Sequence, residues 1–352
     1  MKYMLWLTVF TLVMACAVPV VAAQEVFPAT LTFADAVNLM LENSIALQIA
    51  ELNLEIAQID YEKAMAANLM SSSQQSEMQA KHSLERAKNS YRTARQNSYL
   101  ELFRAYTDVL AAERTVEVRE LELIVAEHDF TVVQEKVRIG DAGKLDELSE
   151  MNRVEAARRN KSSAERALSE SQRVLNRLLG LADSTSLTLS PELPLPKLEL
   201  SLEECVEIGL SNSFSLWDQQ YSLTLQERQL ETAKIEGTPP IDLKRAELNF
   251  QIAKLNLAQE EANIKESITS SYHSLGEALA RYESAERDWE IAQDTFAIYQ
   301  RQAEVGLITD IQLLQQKVSL LNAQKNLQDA LVSYLNSYIQ FHHTIGLDGS
   351  IQ

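Results

Sequence analysis

The feature that most constrains this sequence is the long stretch from Thr30 to Ile139, which contains neither proline nor glycine. Proline removes a backbone donor and glycine costs about 1 kcal/mol inside a helix, so their absence favours long helices. The 352 residues hold only 9 glycines and 7 prolines, which argues against many short strands joined by tight turns. The positions of the breaks predict helices at about 34–70, 74–138, 145–179, 203–235, 241–305 and 310–345.

Apolar residues of the fifth predicted helix recur at the interval typical of a coiled coil. Their spacings of 3, 4 and 7 residues form an a/d seam over several heptads. The seam consists of Ile268, Tyr272, Leu275, Leu279, Tyr282, Trp289, Phe296 and Tyr299. We interpret these side chains as helix-packing residues and expect Trp289 and Phe296 to be buried between helices.

The two halves of the chain share a series of matching residues, which indicates an internal duplication. Residues near the start of the first half recur 169 positions later, and residues further along recur 166 positions later. The matches include Asn43 with Asn212, Ser44 with Ser213, Tyr106 with Tyr272, Gly140 with Gly306 and Gly180 with Gly346. The predicted organisation is a helical repeat at 24–181, a proline-containing linker at 182–199, a second repeat at 200–347 and a tail at 348–352.

The N-terminal residues 1–23 have the features of a secretory signal peptide. Lys2 supplies a positive start, residues 5–13 an apolar core, and residues 21–23 a small-residue cleavage site. An alternative interpretation makes Cys16 the lipid-modified residue of a lipoprotein signal. Both interpretations predict an exported protein.

Charge and motif content exclude several classes of function. The formal charge of −18 makes nucleic acid and anionic membrane surfaces improbable partners. The five histidines show no metal-site spacing, and no phosphate-binding loop or nucleophile motif is present, which predicts a non-enzyme without metal or cofactor. No stretch after the signal has 18 consecutive apolar residues, so membrane association is expected to be indirect or through a partner. Cys205 is interpreted as a small apolar helix residue.

Three motifs occur in order along the chain. Residues 31–37 open the first repeat, residues 178–181 close it, and residues 305–310 form a helix turn whose first-repeat counterpart is 137–140. In this order the motifs resemble the TolC-like outer-membrane efflux protein family, over nearly all of residues 31–347. The resemblance implies a homotrimer whose six repeats form a hollow α-helical cylinder, in the periplasm and associated with the cell outer membrane.

The sequence departs from this family where members carry membrane strands. Family members place a long β-hairpin between the first two helices of each repeat, and such a hairpin needs more than about 20 residues. The joints at 67–75 and 236–241 are too short, and Pro239 and Pro240 would prevent strand pairing. The predicted fold class is all-α: elongated antiparallel coiled-coil helical hairpins in two tandem repeats of three helices, a TolC-like α-cylinder without a β-barrel.

The glycine turns between long helices are the candidate contact site. In the family the corresponding tip meets a periplasmic adaptor (membrane fusion protein), which is linked to an inner-membrane pump. By this resemblance the adaptor-facing tips are Val137, Arg138, Ile139, Gly140, Val305, Gly306, Leu307, Ile308 and Thr309. Relatives often line a constricted aperture with acids, and the matching residues here are Asp146, Gln312 and Gln315. The second repeat therefore carries amides where an acidic ring is expected.

Two functions are consistent with these observations. The first is a subunit of an efflux or type I secretion channel, a trimeric α-helical conduit that docks a periplasmic adaptor of a pump. The alternative is a non-pore coiled-coil spacer or scaffold protein of the cell envelope, which would use the same helix seams. The oligomeric state distinguishes the two, because only the conduit requires a trimer.

Overall fold

The computed structural model describes residues 30–71 and 74–349, which form an all-helical chain. The helices of this part are α1 (Phe33–Asn43), α2 (Ile45–Ser71), α3 (Gln74–Ile139), α4 (Lys144–Leu178), α5 (Leu202–Asn212), α6 (Phe214–Ile235), α7 (Pro240–Glu304) and α8 (Asp310–Thr344). The predicted signal peptide and residues 350–352 of the predicted tail lie outside the described residues. None of the helices described is both long enough and apolar enough to span a membrane.

The two longest helices organise the molecule. The 66-residue α3 packs against α2 and α4, whose 27 and 35 residues together cover nearly its whole length. The 65-residue α7 packs in the same way against α6 and α8. Because α3 also contacts α6 and α8, the helices form a layer with α2 and α4 along one edge and α7 along the other. The predicted class of all-α antiparallel hairpins is confirmed.

The first predicted helix of each repeat is divided in two, so each repeat has four helices instead of three. The interruptions are at Ser44 and Ser213, whose ψ angles of 109° and 114° are extended. The hydroxyl of Ser213 accepts a hydrogen bond of 3.2 Å from the backbone N–H of Leu216 and so caps α6. Serine readily makes such local bonds, which compete with the helix and end it without a proline or glycine.

The hydrophobic core lies around the middle of the long helices. Buried side chains of α1, α3, α5, α7 and α8 meet there, together with Leu189 of the predicted linker. Cys205 is fully buried in this cluster, in agreement with its interpretation as a small apolar residue. The largest fully buried side chains are Tyr106, Tyr334, Phe103 and Phe341.

The predicted seam of α7 is buried at one end and half-exposed at the other. Ile268 and Leu275 are buried in the core, whereas Trp289 and Phe296 are only half-buried. The expectation that these two aromatic rings are enclosed between helices is therefore too strong. Between the core and its C-terminal end, α7 packs against α8 alone. A single neighbouring helix covers a side chain from one side only.

The linker is tied to the start of the first repeat. Leu31 and Leu189 form an isolated parallel bridge, with a hydrogen bond of 2.8 Å from the N–H of Leu31 to the carbonyl of Thr188. The hydroxyl of Tyr106 lies 2.9 Å from the carbonyl oxygen of Leu31 and 2.8 Å from that of Ser190. We call residues 182–199 the strap, because they connect the repeats and close over α1 and α3.

Candidate functional site

The turn between α3 and α4 is the first of the two predicted tips. Gly140 has a φ of +80°, the left-handed conformation in which glycine ends a helix without steric cost. Its N–H donates to the carbonyl of Val137 at 3.1 Å, and the N–H of Asp141 donates to that of Lys136 at 2.8 Å. This pair of bonds is a Schellman motif, which satisfies the last carbonyls of the helix and reverses the chain.

The turn between α7 and α8 repeats this geometry. Gly306 has a φ of +72°, and its N–H donates to the carbonyl of Ala303 at 2.9 Å. The N–H of Leu307 donates to the carbonyl of Gln302 at 2.9 Å. A Cβ atom built on Gly140 or Gly306 would meet nothing within 4 Å, so the backbone conformation, and not a lack of space, requires glycine at both tips.

Two of the predicted aperture residues have the same local role. A carboxylate oxygen of Asp146 accepts a hydrogen bond of 2.8 Å from the N–H of Gly143, at the start of α4. The amide oxygen of Gln312 accepts one of 2.9 Å from the N–H of Thr309, the N-cap residue just before α8. Each side chain thus belongs to the third residue of its helix and bonds the backbone N–H of the N-cap residue, as in a capping box. Gln315 lies exposed one turn further along α8.

The tips expose large apolar side chains to solvent. Ile139, Val305 and Leu307 are 70%, 70% and 74% exposed, and Ile308 is half-buried. Charged pairs surround the first tip, where Arg138 bonds Glu135 and the ammonium of Lys144 lies 2.6 Å from Glu147. The hydrogen bond from Lys144 also lowers the pKa of Glu147. The arrangement suits recognition of a protein surface, with apolar contacts inside a charged rim.

A third feature was not predicted from the sequence. The imidazole of His82 on α3 stacks on Tyr221 of α6, with centroids 4.1 Å apart, and also lies parallel to Trp217 at 5.4 Å. Its Nε2 is 2.6 Å from a carboxylate oxygen of Asp218. These residues join the two repeats within the chain. His82 and Asp218 are 136 positions apart in the sequence, a separation that matches no motif, so only the fold brings them together.

The described residues provide no evidence for a catalytic or metal site. No group of three or more His, Cys, Asp or Glu side chains in residues 30–71 and 74–349 could hold a metal ion. The strongest pKa shifts belong to groups inside the helix packing: burial raises the pKa of Tyr106 to about 12 and lowers that of His343 to about 4. The hydroxyl of Tyr106 bonds the carbonyls of Leu31 and Ser190, and the half-buried ring of His343 lies beside Gly349, so packing alone accounts for both shifts.

Comparison with known proteins gives matches in structure but not in sequence. No protein-family model matches the chain, and no curated protein matches it. The outer membrane protein VceC from Vibrio cholerae matches with a TM-score of 0.63 and 14% identity, over 90% of this chain and 97% of that chain. A membrane protein from Pseudomonas aeruginosa matches with a TM-score of 0.61 and 15% identity, over 87% and 93%.

The MtrE outer membrane channel of Neisseria gonorrhoeae, in its open state, matches with a TM-score of 0.56 and 14% identity, over 91% of this chain and 90% of that chain. At such identities a likeness establishes the fold and leaves the activity to other evidence. The duplicated helical motifs had already suggested the same architecture. This chain therefore shares its fold with the outer membrane protein VceC and the MtrE outer membrane channel, and the resemblance to TolC-like proteins is confirmed at the level of fold.

Proposed function

We propose that this chain is an exported subunit of an efflux channel of the cell envelope, a trimeric α-helical conduit that docks a periplasmic adaptor of a pump. The observation that carries the proposal is the fold, which is shared over 90% of the chain with an outer membrane protein and over 91% with an outer membrane channel. In this proposal the protein lies in the periplasm, associated with the cell outer membrane, and catalyses no reaction.

The layer of helices supports a closed assembly of several copies. Its two edges are different, since α2 and α4 form one and α7 forms the other. Both edges expose large apolar side chains, including Ile49 on α2 and Ile252 on α7. Two unlike edges of one molecule can join only head to tail, and such contacts generate a ring when the rotation closes.

The tips support docking of an adaptor. Ile139, Val305 and Leu307 lie at the glycine turns and remain in contact with water in the single chain. Exposed apolar clusters with a polar rim mark surfaces that bind other proteins. In the proposed conduit the adaptor covers these side chains, and Asp146, Gln312 and Gln315 lie beside the aperture.

The first test of the proposal is the mass of the mature chain, residues 24–352, in detergent-free buffer. Light scattering over a concentration series gives a trimer if the conduit exists. A monomer at every concentration contradicts the conduit and favours the coiled-coil spacer, which needs no partner copy.

The second test places a photo-reactive amino acid at Leu307 in cells of the native host. We expect the cross-linked product to contain a periplasmic adaptor. Ile235 is the matched control, because it is 85% exposed beside another glycine turn, at Gly237, which joins α6 to α7 at the opposite end of α7. Adaptor capture from Ile235 and not from Leu307 would contradict the assignment of the tips.

A further inference from the structure

A polar groove follows the boundary between the two repeats. Its first side is a face of α3 from Glu85 to Gln96, and its second side is the break between α5 and α6, with nearby residues of α7 and α8. The groove consists of two adjoining cavities of about 260 and 320 Å³, which share Asn89, Arg92 and Phe214 among their lining residues. Glu85 and Gln96 are about 16 Å apart along the helix axis, at 1.5 Å per residue. Cavities of this size bind small organic molecules.

Arg92 carries the charge of this groove that has no ionic partner. Its guanidinium donates a hydrogen bond of 2.7 Å to the side-chain oxygen of Asn89 and one of 3.5 Å to the backbone carbonyl of Asn212. A guanidinium has five N–H donors, which leaves three without an acceptor among the described residues. The neighbouring cation Lys88 is bonded to Glu85 at 2.8 Å. Arg92 is therefore half-buried, held by neutral groups and able to bind a carboxylate or phosphate of a ligand.

The segment of α3 that carries Arg92 is basic, although the chain as a whole is acidic. Residues 81–95 contain five basic side chains and one acid, in a protein with a formal charge of −18. A positive segment in an acidic protein raises the local concentration of anions. The charge pattern therefore favours an anionic ligand for the groove.

The helical framework does not require these groove residues. At the offset of 166 positions, Arg92 corresponds to Ala258 of α7. At the offset of 169 positions, Trp217 of α6 corresponds to Gln48 of α2. Because the matching helices form with alanine and glutamine at these places, the need to build a helix does not account for an arginine and a tryptophan beside one cavity.

The groove has an aromatic wall at the end nearer Glu85. Phe214 and Trp217 both line the first cavity, with ring centroids 5.6 Å apart. Trp217 also lies parallel to the imidazole of His82, which is bonded to Asp218 at 2.6 Å, so its ring is held in place. Aromatic rings beside amide and hydroxyl groups suit a sugar, because the C–H face of a sugar packs on the ring while its hydroxyls make hydrogen bonds.

We propose that the groove binds a sugar acid, which is a sugar ring that carries a carboxylate. The guanidinium of Arg92 binds the carboxylate, and the sugar ring packs on the indole of Trp217. Asn89, Thr93 and Ser215 lie along the same groove and bind the hydroxyls of the sugar. An inorganic anion would use Arg92 and leave the aromatic wall without a contact. The groove lies away from the tips, so this inference goes beyond the proposed function.

The fluorescence of Trp217 provides the first measurement. Residues 24–352 contain two tryptophans, so the variant Trp289→Phe leaves Trp217 as the only one. Titration of this variant with galacturonate is expected to give a saturable change. Galactose, which has the same ring without the carboxylate, is expected to bind about 10–100-fold more weakly, because it lacks the charge-assisted bond. Equal affinity for the two sugars would overturn the inference.

Substitution of Arg92 tests its role. Arg92→Ala is expected to weaken galacturonate binding about 10–100-fold, and Arg92→Lys less, because lysine keeps the charge but not the planar fork. Arg86→Ala is the matched control, since Arg86 is an exposed cation of the same helix that lines neither cavity of the groove. An equal loss in Arg86→Ala would show that only the net charge of α3 matters, and the assignment of Arg92 would be wrong.

Substitution of Trp217 separates a sugar-acid site from a general anion site. By isothermal titration calorimetry, Trp217→Leu is expected to weaken galacturonate binding and to leave the weak binding of acetate unchanged, while Trp217→Phe retains most of the affinity for galacturonate. Circular dichroism checks that both variants keep their helical content. Unchanged galacturonate binding in Trp217→Leu, or displacement of galacturonate by an equal concentration of inorganic phosphate, would contradict the sugar site.

Trigalacturonate distinguishes a free sugar acid from a unit of a polysaccharide. Tighter binding of the trimer than of galacturonate assigns the groove to a polysaccharide chain, because the groove continues along α3 past Arg92 to Gln96. Equal affinity per molecule assigns it to the free sugar acid. The absence of a saturable change with both ligands refutes the inference. None of these results depends on the mass measured by light scattering, so failure of the sugar site leaves the proposed conduit in place.

Discussion

The side-chain amide of Asn43 donates a hydrogen bond of 2.9 Å to the backbone carbonyl of Leu179, although the two residues are 136 positions apart. The second repeat has the same bond, of 3.2 Å, from Asn212 to Ile345. In each case the asparagine ends the first helix of its repeat, and the carbonyl lies at the end of the last one. Each repeat is therefore closed by a contact between its first and last helices.

Substitution of the glycine beside this bond tests its importance. A Cβ atom on Gly180 would lie 2.7 Å from the Cβ of Asn43, and the φ of Gly180 is +72°. We expect Gly180→Ala to lower the free energy of unfolding by about 2–3 kcal/mol, from the clash and the left-handed backbone together. The measurement is urea denaturation followed by circular dichroism.

The control for that variant is a glycine in the middle of a helix. Gly276 of α7 is exposed, and a Cβ atom there would meet nothing within 4 Å. Gly276→Ala is expected to raise stability by about 0.5–1 kcal/mol, because alanine loses less backbone entropy in a helix. Equal effects of the two substitutions would show that the approach of Asn43 to Gly180 does not matter.

Two half-buried histidines in the last turn of α8 predict a loss of stability in mild acid. Burial lowers the pKa of His343 from 6.5 to about 4, and burial also lowers that of His342. The folded state therefore holds these rings neutral, while the unfolded chain takes up protons as the pH falls through 6.5. Stability present above pH 6.5 is lost progressively down to about pH 4.

The size of this effect is about 1–2 kcal/mol for His343, because the half-buried ring keeps part of its hydration. Urea denaturation at pH 7, 6, 5 and 4.5 measures the slope, and His343→Gln is expected to reduce it. An unchanged slope in this variant would assign the acid sensitivity to other groups, of which His342 is the next to test.

The buried tyrosine that bonds the strap, Tyr106, predicts a loss of stability at high pH. Burial raises the pKa of Tyr106 from 10 to about 12, so the folded state retains a proton that the unfolded chain releases first. Stability is expected to fall as the pH rises from 10 to 12. Tyr106→Phe removes the hydroxyl between Leu31 and Ser190, and we expect it to cost about 1–2 kcal/mol at pH 7 while flattening the alkaline slope.

The helix caps at the tips give a reciprocal prediction. Glu at position 312 would place a carboxylate at the N-terminus of α8, as Asp146 does for α4, so Gln312→Glu is expected to stabilise by about 0.3–1 kcal/mol. Asp146→Asn is expected to destabilise by a similar amount. If both residues also line an aperture, conductance measurements will show the cation preference rising in the first variant and falling in the second.

Much of the helical framework could be predicted from the placement of proline and glycine. The predicted helix 74–138 is observed as Gln74–Ile139, and 310–345 as Asp310–Thr344. The interruptions at Ser44 and Ser213 were not predicted, because the chain has neither proline nor glycine there. Next to each serine an asparagine bonds a distant carbonyl, a contact that no local pattern reveals.

The candidate site was also predictable only in part, because some of its features are local in sequence and others depend on distant contacts. The glycine turns are local features, and the positive φ values of Gly140 and Gly306 follow from residue type. The meeting of His82 with Asp218 depends on how the first repeat packs on the second, so it could not be inferred from spacing. The half-exposure of Trp289 likewise reflects the number of helices around α7 near its end, which a heptad pattern leaves undetermined.

The strap also sets the order in which this protein can complete its folding. Leu31 leaves the ribosome early, yet its backbone partners Thr188 and Ser190 are synthesised much later. Contacts between residues so distant in sequence form slowly, because a long segment must first be closed into a loop. Phe33 of α1 can pack on Phe103 and Tyr106 of α3 before the strap is made, but Leu31 and the hydroxyl of Tyr106 then still lack the partners that the strap supplies. The newly made chain therefore passes through an interval in which it is more vulnerable to aggregation and proteolysis.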